Sequence, residues 1–163
     1  MCPKDSGFVM ILKHLPKIRF LLNEKGGNIL ETYQTEKKKL KATALSNIQV
    51  ACDQNMTKNA MKAILTMCPN LKSLHVKSDN CGKDESWVEM LGKVPNKIQE
   101  IHVTRVNFKG AYLCQYVLDP FNGAKLTTLD IREMCFFRLS WFQMIKRNCQ
   151  NLQNLSIGKF EFV

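Results

Sequence analysis

Aliphatic residues recur along the chain in one short pattern. An aliphatic position is followed by two unrestricted ones, a second aliphatic, one unrestricted position and a third aliphatic. Leu71, Leu74 and Val76 show it plainly. The triplet returns as Leu45, Ile48 and Val50, as Ile98, Ile101 and Val103, as Leu126, Leu129 and Ile131, and as Leu152, Leu155 and Ile157. A degenerate copy starts at Ile18, where Leu21 fits and Asn23 does not. The first positions fall at 18, 45, 71, 98, 126 and 152, a step of 26 to 28 residues. Of these 18 slots, 17 hold Ile, Leu or Val, types that supply 37 of the 163 residues. Random placement would fill about 4 of them, so the periodicity is a property of the fold.

The last two positions of each triplet alternate with a polar residue, as Leu74 and Val76 do around His75. Period two with one apolar side predicts a short strand with one buried face. Between the strands the spacing of apolar residues changes to three and four. It predicts helices over 57–67 (Ala60, Met61, Ile64, Leu65), 84–91 (Trp87, Met90, Leu91), 111–118 (Leu113, Tyr116, Val117) and 140–147 (Trp141, Met144, Ile145). Pro120 reads as the stop of the third, and 28–40 reads as a longer helix carrying Ile29, Leu30 and Tyr33. One strand and one helix cannot cover their own apolar sides, whereas stacked units cover one another. The expected fold is therefore α/β: a curved parallel sheet inside, helices on the outer convex side, and one array spanning 1–163.

At two places the units resemble a known family. Residues 56–76, with Cys68-Pro69-Asn70-Leu71 ahead of the strand, and residues 137–157, with Cys149-Gln150-Asn151-Leu152, resemble units of the cysteine-containing leucine-rich repeat. Leu15, Pro95 and Gly123 stand in the cysteine slot of other units. The resemblance implies a leucine-rich-repeat solenoid, a right-handed α/β horseshoe arc of about six repeats. That subclass is common in F-box/leucine-rich-repeat proteins, the substrate receptors of cullin-based ubiquitin ligases. The repeat pattern is under way by about residue 10, with no F-box ahead of it. A ligase adaptor would then bind only through an F-box outside this chain. The array also lacks polar caps, which leaves three readings open: a fragment of a longer protein, a shortened gene product, or end-on pairing.

In the same register the unrestricted strand positions make up the concave face. They are Ser73, His75 and Lys77, then Glu100, His102 and Thr104, then Thr128, Asp130 and Arg132, then Asn154 and Ser156, with Asn47 and Gln49 ahead of them. A rigid polar face of both charge signs suits a protein partner. His75, His102 and Asp130 occupy one offset in three successive strands and stand in a row. A row lacks the clustered geometry of a metal site, so no metal and no cofactor are expected. A cross-strand pair between His102 and Asp130 is expected instead.

Charge and cysteine content narrow the class. Lys and Arg number 24 against 14 Asp and Glu, a net charge of +10. The basic residues are dispersed among acids and are not interleaved with aromatics, which disfavours nucleic acid and leaves an acidic protein as the natural partner. The dense run Lys37-Lys38-Lys39-Leu40-Lys41 suits the negative end of the helix expected over 28–40. Seven cysteines, an odd number without a CxxC pair, argue against a disulfide framework and for a reducing compartment, cytoplasm or nucleus. Cys68 and Cys149 read as core fillers. No apolar run is long enough for a membrane span, and no phosphate loop or Cys-His catalytic spacing occurs. The expectation is a non-enzymatic interaction module without a small-molecule substrate. It would be a substrate-recognition arc like that of the F-box/leucine-rich-repeat receptors, or else a scaffold or sensor with no ligase link.

Overall fold

The structure is a computed structural model and describes residues 17, 19–23, 44–51, 56–77, 86–104, 112–132 and 138–158. Six strands form one sheet in chain order: β1 (Phe20–Asn23), β2 (Asn47–Ala51), β3 (Ser73–Lys77), β4 (Glu100–Thr104), β5 (Thr128–Ile131) and β6 (Asn154–Ile157). Every neighbouring pair is parallel. The middle slots of the sequence triplets face one another across the sheet. Leu21 pairs with Ile48, Ile48 with Leu74, Leu74 with Ile101, Ile101 with Leu129, and Leu129 with Leu155.

The helices lie where the sequence spacing changes. α1 (Lys58–Met67) begins at Thr57, whose hydroxyl accepts from the Ala60 amide, and buries Ala60, Met61, Ile64 and Leu65 as expected. A tight turn at Ser86–Val88 runs into α2 (Glu89–Lys93) and buries Trp87, Val88 and Leu91. The third helical segment differs from the expectation. Leu113–Val117 is a π-helical turn. Pro120 does not simply stop it but opens a further short helix, α3 (Pro120–Gly123), capped by the Asp119 carboxylate on the Phe121 and Asn122 amides. Proline suits the first helical position, where its missing N–H has no partner to lose. α4 (Leu139–Asn148) buries Trp141 and Ile145. The helix expected over 28–40 and the slots at Leu15 and Ile18 lie outside the described residues.

One continuous core joins the helices to one face of the sheet. Leu45, Leu71, Ile98 and Leu126 are buried in it, as are Leu74, Ile101, Leu129 and the third-slot residues Val50, Val76, Val103 and Ile131. The last unit is the exception, with Leu152 and Ile157 half-buried and Leu155 36% exposed, because β6 has a described neighbour on one side only. Three of the four described helices, α1, α3 and α4, return to the sheet through the same turn. The amides of Leu71, Leu126 and Leu152 donate to the carbonyls of Cys68, Gly123 and Cys149, three residues earlier. Where Pro95 holds that slot, the Asn96 side chain substitutes: it accepts from the Ile98 amide and donates to the Leu91 and Val94 carbonyls. Cys68 and Cys149 are buried at this turn, and Cys114 is buried in the π-helical turn.

Just ahead of the strands runs a second ladder. The carbonyls of Arg19, Ser46, Lys72, Gln99 and Thr127 each accept two consecutive amides of the next unit, at 2.7–3.1 Å. That sharing ties the start of each strand to the one before it.

Candidate functional site

The face of the sheet opposite the helices, uncovered among the described residues, carries three rows of side chains, set by the strand register. The entry row is Asn47, Ser73, Glu100, Thr128 and Asn154. The Asn154 amide donates to the Thr128 hydroxyl at 3.3 Å. The middle row is Gln49, His75, His102, Asp130 and Ser156. At the exit side Lys77 sits opposite Thr104, and Arg132 follows β5. Most of these residues are half-buried, while Asn47, Asn154 and Arg132 are exposed.

The middle row is linked from strand to strand. His75 Nε2 lies 3.2 Å from the Thr104 hydroxyl. The His75 and His102 rings stand 5.8 Å apart, tilted by 55°. His102 Nδ1 is 3.6 Å from Asp130 Oδ2. Asp130 is held more closely by Arg132, whose Nε and Nη2 donate to its two oxygens at 2.9 and 2.8 Å. A two-point guanidinium–carboxylate bond is shorter and stronger than a single imidazole contact at 3.6 Å. Arg132 is therefore the main partner of Asp130.

The register brings the expected face residues together on one surface, with one correction. Asp130, expected as an open contact residue, is only 7% exposed. Arg132, two positions later on the same side of the strand, shields it. What a ligand would meet there is the guanidinium. Burial raises the Asp130 carboxyl, but the Arg132 hydrogen bonds and charge outweigh it, with a smaller contribution from His102, and hold it below its ordinary value. The His75 imidazole is lowered, first by burial and then by the His102 charge, against a smaller upward pull from Asp130.

Two features escaped the sequence reading. The Asp130–Arg132 clamp could have been found from its spacing, since residues two apart on a strand share a side. On the helix layer Glu89 receives both Lys58 and Lys93, and these two hold its carboxyl below the ordinary value. Only the Lys93 contact is signalled, by its four-residue spacing.

Burial pushes the thiols of Cys68 and Cys114 up to about 12 and that of Cys149 up to about 11. Such thiols stay protonated near neutral pH and are poor nucleophiles and ligands. Among the described residues no group of three or more His, Cys, Asp or Glu side chains is placed to hold a metal ion. Also among them, no helix is long and apolar enough to cross a membrane. Comparisons with protein-family models, with curated proteins and with solved structures return no match to this chain.

Proposed function

We propose that the chain is a non-catalytic interaction module, an arc of a leucine-rich-repeat solenoid that binds a protein through the polar face of its sheet. The observation that carries this reading is the register. It sets one row of hydrogen-bonding side chains, Gln49 through Ser156, across five adjacent strands above a continuous aliphatic core. Side chains whose backbones are fixed in this way lose little freedom when a partner docks, which favours recognition over many shallow contacts. The units with Cys68 and Cys149 support the repeat class. Their thiols are buried at the turn that leads into a strand, and the same turn recurs at Gly123.

In its sharpest form the partner is the substrate of a cullin-based ubiquitin ligase, with an F-box encoded outside these residues. Co-purification of the adaptor and cullin with the natural full-length product would separate that form from a scaffold without a ligase link.

The face itself is tested by affinity capture and mass spectrometry from the native cell, comparing the unaltered chain with Ser73→Arg/Glu100→Lys. Both positions are half-buried and accept a longer side chain from the open face. The variant is expected to keep its far-UV circular dichroism and melting temperature while losing the partners of the unaltered chain. Retained partners would move the binding surface off the sheet face.

A further inference from the structure

The edge of the sheet where the chain enters each strand has a chemistry of its own. The positions immediately before and after the first triplet slot hold Lys17, Arg19, Lys72, Lys97 and Lys125, and among the described residues none of these positions holds a carboxylate. The other positions there hold alanine, hydroxyls or amides: Ala44, Ser46, Asn70, Gln99, Thr127, Asn151 and Gln153. Lys17, Arg19, Lys72 and Lys97 are exposed and Lys125 is half-buried.

The backbone ladder through Arg19, Ser46, Lys72, Gln99 and Thr127 sets these side chains in strand order along the edge. Successive rungs are about 4.8 Å apart, inside a screening length of about 8 Å at physiological salt, so the positive fields of Lys72, Lys97 and Lys125, in three consecutive units, add, while Arg19 stands two rungs from Lys72 across the uncharged Ser46. Lys97 is held on the rim by the Asn70 side-chain oxygen at 2.8 Å. Asp119 is the carboxylate that acts on Lys125, but its oxygens already accept from the Phe121 and Asn122 amides and the Asn122 side chain. The helix C-termini also point to this edge. The partial negative charge there is countered in α4 by Lys146 and Arg147, whereas α1 has no basic residue in its last turn and Lys93 in α2 is paired with Glu89.

At its β4–β6 end the rim opens into a groove of about 550 Å³ lined by Gln99, Lys125, Thr127, Gln150, Asn151 and Gln153. The Asn151 carboxamide already donates to the Ala124 carbonyl at 2.7 Å, but those of Gln99, Gln150 and Gln153 each carry a donor and an acceptor side by side, which matches the amide and carbonyl of an extended peptide. A single-stranded nucleic acid would call for stacking aromatics between the cations. Phe121, four residues before Lys125, already has the Lys125 ammonium over its ring at 3.8 Å.

We infer that the strand-entry rim docks an extended acidic segment of a protein partner, with carboxylates meeting Arg19, Lys72 and Lys97 and the main chain entering the amide-lined groove. This surface is separate from the sheet face, so neither reading requires the other.

Fluorescence anisotropy tests it, using the full chain and a labelled peptide of alternating Glu and Ser. Lys72→Glu/Lys97→Glu should weaken binding at least about tenfold, because two attractive contacts become repulsive. The charge-matched variant Lys62→Glu/Arg138→Glu, with one change on α1 and one just ahead of α4, both exposed and away from the rim and the sheet face, should weaken it far less. Both variants are checked for an unchanged melting temperature. No peptide binding at low salt, equal loss in the two variants, or no loss in the rim variant would each overturn the inference. Tighter binding of a charge-matched oligouridylate than of the peptide would assign the rim to nucleic acid instead.

Discussion

His75 sits between two influences that act in the same direction. Partial burial disfavours its charged form, and the neighbouring His102 ring, 5.8 Å away, adds repulsion when both are protonated. The expected NMR midpoint for His75 is therefore below 6.5, and His102→Gln should raise it. The sign for stability follows. Between the native midpoint and 6.5 the unfolded chain binds more protons than the native one, so stability rises with pH across that window. The contribution is complete above 6.5 and is lost as pH falls through the native midpoint. A midpoint at or above 6.5 would remove this account. At this scale the sequence was informative about sides and less so about cover. Alternation put His75, His102 and Asp130 on one side of the sheet, where the register has them. The same alternation puts Arg132 beside Asp130 but does not say how far its side chain covers the carboxylate, because rotamers are chosen by neighbours and not by period.

Gly92 brings two opposed effects into one element. Alanine in a helix is favoured over glycine by about 1 kcal/mol. Yet a Cβ at Gly92 in α2 would lie 2.9 Å from the Tyr116 carbonyl oxygen and 2.9 Å from its Cβ. The oxygen belongs to the backbone of the π-helical turn and cannot rotate away, so overpacking should cost about 1–3 kcal/mol. Gly92→Ala is expected to lower the urea midpoint, against its helix propensity. An unchanged or higher midpoint would show that α2 and the turn slide apart freely. α1 was legible because Thr57 caps a run whose apolar positions fit a single helical face. The turn at Leu113–Val117 was legible as helical only in outline, since Leu113, Tyr116 and Val117 suit an α-helix equally well. Pro120 was ambiguous in the same way, ending one helix or opening another, and Asp119 decides it.

Across the whole molecule each inner strand is covered by a neighbour on both sides, whereas β6 has one described neighbour. Leu129, at 0% exposed, and Leu155, at 36%, hold the same slot in adjacent strands. Leu129→Ala should cost about 2–5 kcal/mol, and Leu155→Ala about 1 kcal/mol or less, because less apolar surface and no enclosed cavity are involved. Chemical denaturation of the two variants checks this. Equal losses would mean that the end of the sheet is as well packed as its middle. The periodicity predicted the slot but not this difference, since it treats every unit alike.

The shared carbonyls ahead of the strands separate two kinds of length change. The steps between paired slots vary from 26 to 28 residues, yet the pairing never slips. Spare residues are taken up in the connections, because the double acceptor at each rung anchors the chain only where it enters the sheet. An insertion placed in a connection is therefore absorbed locally. One placed between a rung and its strand turns the apolar side chains of that strand outward.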